Sequence, residues 1–331
     1  MKKEYLARLL VILLVCGVMG AAVPARQLAA QDAVNLHGEM ADSGGWTPEV
    51  IEAQAGKPLH LRLTSNDVIH GFAIGQSDQP AVDIEPGKVT ELSLVFDQPG
   101  KYTFYCTRWC GLNHWRMRGS IEVSGEAGTS PEAPAPPLYQ TLDIELDAPH
   151  PADEIPEGRP AASQSRISLS QHYLLPDYYR SHTPSQVFAD LRSDPSLLKF
   201  SDGRVWDLVA SIWWKNTTSQ GIKAAQRLYA ENCAACHGEG GAGDGVFAAE
   251  VQSSFGQKME GMNHKTTAPA DFTNSAAILG ASPALLQGKI LRGGMGSGMP
   301  YWGPIFTDQQ TWDLVGYLYS FQFDYSEAYK P

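Results

Sequence analysis

Positive charge is in short supply in this sequence. Lys and Arg number 25 against 36 Asp and Glu, a formal net charge of -11. No basic face is therefore available to displace phosphate counterions, and nucleic acid is not expected as a partner. Much of the acidity is local: Glu122, Glu126, Glu132, Asp143, Glu145, Asp147, Asp153, Glu154 and Glu157 fall before Pro160, with Arg159 among them. The charge describes a connecting segment more than a binding surface. Long apolar runs are lacking beyond the first, so no second membrane span is expected. That first run, Leu9 to Val23, follows Lys2, Lys3 and Arg8 and precedes Pro24. It reads as a signal peptide or short membrane anchor over residues 1–25, which puts the remainder outside the cytoplasm, secreted or membrane-anchored. No acid–base or nucleophilic constellation stands out, and no catalytic residue is assigned.

Cysteine is scarce too. Of five, Cys16 sits in the N-terminal apolar run, where it serves as a small hydrophobe. The others form two close pairs, Cys106 with Cys110 and Cys233 with Cys236. Disulfides are the default reading of such pairs in an exported protein, so the neighbouring residues must decide.

With 331 residues, the chain has room for two modest domains and connections. From Trp46 to Val123, short apolar runs alternate with turns at Gly56-Lys57-Pro58, Glu85-Pro86-Gly87 and Gln98-Pro99-Gly100. Strands are expected at Glu49–Gln54, Leu59–Thr64, Phe72–Ile74, Thr90–Phe96, Gly100–Cys106 and Gly119–Val123. Together they indicate a small β-sandwich over residues 40–124. Residues 125–165 are rich in Pro, Glu and Ala and read as a semi-extended linker. Helical periodicity follows, in a segment at 166–218 and a domain at 219–325. Thr307 and Gln310 make a capping box ahead of Trp312, Val315 and Leu318. Ser201-Asp202 and Trp206-Asp207-Leu208-Val209 echo Thr307-Asp308 and Trp312-Asp313-Leu314-Val315. The earlier copy reads as a relic of a domain like the one at 219–325, expected to pack as structure and bind nothing.

The densest chemistry is Cys106-Thr107-Arg108-Trp109-Cys110-Gly111-Leu112-Asn113-His114-Trp115-Arg116-Met117. Two thiols, an imidazole and a thioether directly after a strand select copper. A mononuclear blue-copper loop needs one cysteine; a second, one turn away, lets both thiolates bridge two copper ions. Each copper then needs an imidazole, one from His114 and one from a distant strand, where His70 is suitably placed. A disulfide would explain neither His114 nor Met117, and zinc has no use for a thioether. Trp46 to Val123 resembles the extracytoplasmic CuA domain of subunit II of haem–copper oxidases, and is similar to that of nitrous oxide reductase. The resemblance implies a cupredoxin sandwich whose ligands are His70, Cys106, Cys110, His114 and Met117, with the carbonyl of Arg108. Many oxidase subunits have a glutamate there, which helps hold magnesium. Arg108, with Trp109 and Trp115, is expected instead to give a cationic, aromatic surface.

Cys233-Ala234-Ala235-Cys236-His237 is the attachment sequence for c-type haem. Two thiols at this spacing can form thioethers, and the next residue offers an imidazole to iron. For the sixth ligand Met259, Met262, Met295 and Met299 are available, and Met299 is favoured over Met295. Met299-Pro300-Tyr301-Trp302 resembles the distal segment of class I cytochromes c, a resemblance covering Gly221 to Gln322. Members usually carry glycine four residues before the aromatic Tyr229, where two helices cross; Ala225 stands there.

The expected fold is thus an all-β cupredoxin-like sandwich followed by an all-α class I cytochrome c domain. The resemblance implies subunit II of a haem–copper oxidase with a fused cytochrome c, holding one covalent haem c and a binuclear copper centre. It would accept electrons from a cytochrome c or similar donor and pass them to the catalytic subunit of a membrane oxidase, itself contributing electron input and no active site. The alternative is a free-standing exported carrier, or the input module of a nitric or nitrous oxide reductase system.

Overall fold

The computed structural model describes residues 33–77, 79–111, 113–125, 135–162, 169–251, 268–294 and 298–326. The expected signal or anchor segment, with Cys16, lies outside them, as do Met259, Met262 and Met295. Among the described residues no helix is long and apolar enough to cross a membrane. They divide into two compact units, a β unit before Ser130 and a helical unit after it.

Among the described residues the β unit has nine strands: β1 Val34–Gly38, β2 Trp46–Thr47, β3 Val50–Gln54, β4 Pro58–Ser65, β5 His70–Ile74, β6 Val82–Ile84, β7 Thr90–Val95, β8 Gly100–Tyr105 and β9 Arg118–Ser124. They form two sheets, ordered β2-β1-β4-β7 and β3-β9-β8-β5-β6. Pairing is parallel for β1 with β4 and for β3 with β9, and antiparallel elsewhere. Strand periodicity explains the sandwich: Leu59, Leu61 and Leu63 of β4 point inward, while His60, Arg62 and Thr64 are half exposed. They meet Phe72, Phe104 and Ile121 from the other sheet. This is the cupredoxin-like sandwich expected from the sequence. All six expected strands form. β1 lies ahead of the expected 40–124 bounds, because a single apolar residue of its five, Leu36, is fully buried and its position comes from pairing with β4.

Trp46 joins the core to the loop between β8 and β9. Its ring lies edge-on to Phe72 and Phe104, at 6.0 and 5.9 Å between centroids. Its indole Nε1–H donates to the Met117 carbonyl at 3.0 Å.

The helical unit comprises α1 Leu138–Thr141, α2 Pro176–Ser181, α3 Pro184–Arg192, α4 Asp202–Lys215, α5 Ser219–Asn232, α6 Ala234–His237, α7 Ser275–Ile278, α8 Pro283–Arg292 and α9 Asp308–Tyr319. The Thr307–Gln310 capping box forms as expected, and Thr183 with Gln186 makes a second at α3. Helices α5 and α9 pack together. Ala225 is fully buried, and Tyr229 meets Tyr317 with ring centroids 5.3 Å apart. The echoed helices α4 and α9 bury matching positions, Leu208, Val209 and Ile212 beside Leu314, Val315 and Leu318. Trp213 of α4 lies edge-on to Tyr319 of α9, so this segment packs as structure.

The described residues 135–162 are not free chain. Leu146 and Ala162 are buried in the helical unit, and Ala162 N–H donates to the Asp324 carbonyl at 2.7 Å. Apolar anchors spaced between the prolines hold down a stretch whose composition suggests a linker.

Trp46→Ala is expected to destabilise the β unit by ~3–5 kcal/mol, the usual cost of emptying a large aromatic site. Chemical denaturation of the full chain should show the β transition at lower denaturant and the helical one unmoved. Equal shifts in both would contradict the two-unit division.

Candidate metal and haem centres

Strand β8 delivers Cys106, and β9 begins just after Met117. Cys106 N–H donates to the Met117 carbonyl at 3.0 Å, closing the base of the loop. Asn113 turns the chain in a left-handed conformation, φ 61°, and its side chain donates to Asp42 at 2.9 Å. A 3₁₀ turn at His114–Arg116 then folds His114 and Met117 inward. From the neighbouring strand, His70 enters at the head of β5. Gly71 follows it, and a Cβ there would collide with Thr107, so glycine allows β5 to approach this close.

The donor atoms converge. The Cys106 and Cys110 sulfurs are 3.9 Å apart, unbonded and buried. His70 Nδ1 is 3.8 Å from the Cys106 sulfur and His114 Nδ1 is 3.6 Å from that of Cys110. Met117 Sδ lies 3.2 Å from Cys110, and the Arg108 carbonyl oxygen lies 3.2 Å from Cys106. His70, Cys106 and Cys110 form a cluster able to hold a metal ion. Every sequence-assigned copper residue is brought to this one place.

Electrostatics fit a cation. The hydrogen bond with Cys110 pulls the Cys106 thiol far down against the effect of burial, with help from His114 and His70. The same bond and burial push Cys110 far upward. The sulfur pair thus carries one negative charge comfortably and a second only against positive charge placed between the sulfurs. Soft thiolates with imidazole and thioether are the donors copper prefers.

Asp67 was not singled out from the sequence, although it lies three residues before His70. Its carboxylate meets His70 Nε2 at 2.8 Å, leaving Nδ1 toward the sulfurs. Burial raises the Asp67 carboxyl, yet bonds from Met40 N–H, His70, Val68 N–H and Ser65 outweigh it and hold it well below the usual range. Burial likewise lowers His70, and its bonds to Cys106 and Asp67 more than reverse that. One expectation needs correction. Arg108 does not present a bare cation beside the site, because its guanidinium forks onto Asp83 with two 2.8 Å hydrogen bonds.

In the helical unit, Cys233 ends α5 and α6 carries Cys236 and His237. His237 Nδ1 lies 3.1 Å from the Ala270 carbonyl, to which it donates as the Nδ1–H tautomer, leaving Nε2 for a metal. Its ring stacks on Phe272. Burial lowers the His237 pKa despite the Ala270 bond, favouring the neutral imidazole a metal needs. A cavity of about 480 Å³ is lined by Cys233, His237 and Met299 with apolar Phe272, Leu286 and Trp302. Burial raises both thiols, Cys233 to about 12, and both are unbonded. An apolar cleft lined by a neutral imidazole, a thioether and the Cys233 thiol, with the Cys236 thiol next to that imidazole in sequence, suits a haem.

Comparison with known proteins follows the same division. Residues 48–124 match the family of the periplasmic domain of cytochrome c oxidase subunit II, and residues 222–322 match cytochrome c. The chain joins a subunit II periplasmic domain to a cytochrome c domain. Subunit 2 of cytochrome c oxidase from Thermus thermophilus is 38% identical over 79 residues, covering 24% of this chain and 58% of that protein. Subunit 2 from Apis mellifera ligustica is 40% identical over 65 residues, covering 20% and 28%. The chain thus spans about half or less of the length of these relatives. The periplasmic domain of subunit II from Bradyrhizobium japonicum aligns at 19% identity and TM-score 0.25, covering 28% of this chain and 84% of that one. The subunit II domain implies copper, and the cytochrome c domain implies haem.

Asp67→Asn should weaken copper binding by about 10–100-fold, the usual effect of removing a carboxylate behind a ligating histidine. Competition titration of the full chain against a copper chelator measures it. Unchanged affinity would leave Asp67 a purely structural residue.

Proposed function

We propose that this chain is the electron-input subunit II of a haem–copper oxidase, carrying a binuclear CuA centre and one covalent haem c. The observation that carries this reading is the pair of buried sulfurs 3.9 Å apart, each with its own imidazole, at 3.8 and 3.6 Å. A mononuclear copper site has no use for the second thiol and second histidine in that arrangement. His70, Cys106, Cys110, His114 and Met117, with the Arg108 carbonyl, hold the coppers. Cys233 and Cys236 would form the thioethers, and His237 and Met299 would hold the iron. Met299 lines the cavity with His237, while Met295 lies outside the described residues.

Loaded in this way, both centres supply outer-sphere electron transfer and no bond chemistry. The protein's part is to fix the donors, exclude water and keep reorganisation small. Buried donors on two strands and a closed loop serve the copper end, and an apolar cleft serves the haem end. With both groups bound, the haem unit would take electrons from a cytochrome c or similar donor, and the copper unit would pass them to the catalytic subunit of a membrane oxidase. The proposed location is extracytoplasmic, with the N-terminal segment as leader or anchor. The proposed domains are 40–124 for copper and 219–325 for haem, with 166–218 as a structural helical segment.

The test is metal analysis and spectroscopy of the purified, loaded full chain. About two copper atoms per haem, with the near-infrared band of a mixed-valence pair, are expected from bridging thiolates. Cys110→Ser should abolish that band and leave the haem spectrum unchanged. A single copper per haem, or a Cys106–Cys110 disulfide, would sink the binuclear reading. Isolation of the native protein without a membrane partner or oxygen uptake would favour the free-standing carrier or reductase module.

A further inference from the structure

The stretch 144–153 is seated on the cytochrome unit at successive points. Leu146 packs over Gly288, where a Cβ would press on Leu146 and the Tyr139 ring. Asp147 accepts a forked pair of hydrogen bonds from Arg292 of α8. His150 Nε2 lies 2.8 Å from the Glu145 carbonyl, closing a turn within the stretch. Ala152 N–H donates to the Ala276 carbonyl at 2.7 Å. At Gly280 the backbones run so close that a Cβ would overlap the His150 carbonyl. Ala148, Pro149, His150 and Pro151 line the same cavity as Cys233, His237 and Met299. None of these strap residues falls within 222–322, the range matched to cytochrome c.

The charge on that wall is specific. Apart from histidines, the cation lining the cavity among the described residues is Lys289. Burial lowers its pKa; nearby Asp147 opposes this, and Arg292 adds to it. Asp147 is already committed to Arg292. A haem carries two carboxylates on the ring edge remote from the vinyl positions, hence away from Cys233 and Cys236. An ion pair strengthens where water is excluded.

We propose that Lys289 and the strap 146–152 form the carboxylate end of the haem cleft. Lys289 is the ion-pair partner of a haem carboxylate, and the strap is the cover that keeps water from that pair. The inference rests on the haem reading above and extends the haem-binding unit toward the N-terminus by a segment that looks like linker. A cation beside the haem disfavours ferric iron and so raises the reduction potential.

Redox titration of the loaded full chain tests this, with covalent haem content measured in each sample. Lys289→Met should lower the haem potential by about 59 mV, tenfold in the one-electron equilibrium. Lys289→Arg should restore most of it. Gly280→Ala, which displaces the strap and leaves Lys289 in place, should lower it in the same direction. Wild-type potential in Lys289→Met at full haem content overturns the proposal. Absence of covalent haem from the unmutated chain would instead overturn the haem reading.

Discussion

Two sulfurs held 3.9 Å apart inside protein can both be anionic only if something positive lies between them. The pair sits where three strands of the β unit end. Strands β5, β8 and β9 bring His70, Cys106 and Met117 to one end of the sandwich, and the loop closes on itself through Cys106 N–H and the Met117 carbonyl. Trp46 donates to that same carbonyl from the hydrophobic core, so packing between the sheets and loop geometry are mechanically linked.

Much of this could be read from the sequence, because the relevant signals are local. Leu59, Leu61 and Leu63 alternate with polar residues along one strand. The copper loop places its donors within twelve positions, and the haem sequence within five. Features set by contacts distant in sequence were harder to read. Val34-Asn35-Leu36-His37-Gly38 has too little apolar alternation to announce a strand, and its parallel partner β4 begins twenty residues later. Asp67 reads as an ordinary turn residue until the fold turns its carboxylate onto His70. Asp83 and Arg108 lie on separate elements and meet through β5–β6 pairing and the loop that crosses above it.

The helical unit teaches the opposite lesson about composition. Pro-rich, acidic sequence argued for a semi-extended linker over 125–165, and average composition is a fair guide when apolar groups are sparse. Here a few well-placed groups suffice: Leu146, Ala162 and an Asp147–Arg292 fork fasten the described part to a ready-made surface. A chain with no core of its own can still be ordered by borrowing one. The echoed helices α4 and α9 show a related economy, using the same apolar spacing to bury similar faces in different surroundings.

The Asp83–Arg108 fork has a consequence for recognition. Because each charge answers the other within hydrogen-bond distance, Arg108 itself projects little field into solution. Were this face to meet another protein, Arg108 would add little long-range attraction, and half-buried Trp109 and Trp115 would act at short range, by their fit against a complementary surface. The loop would then discriminate among visitors by shape once they arrive, rather than summoning them from afar.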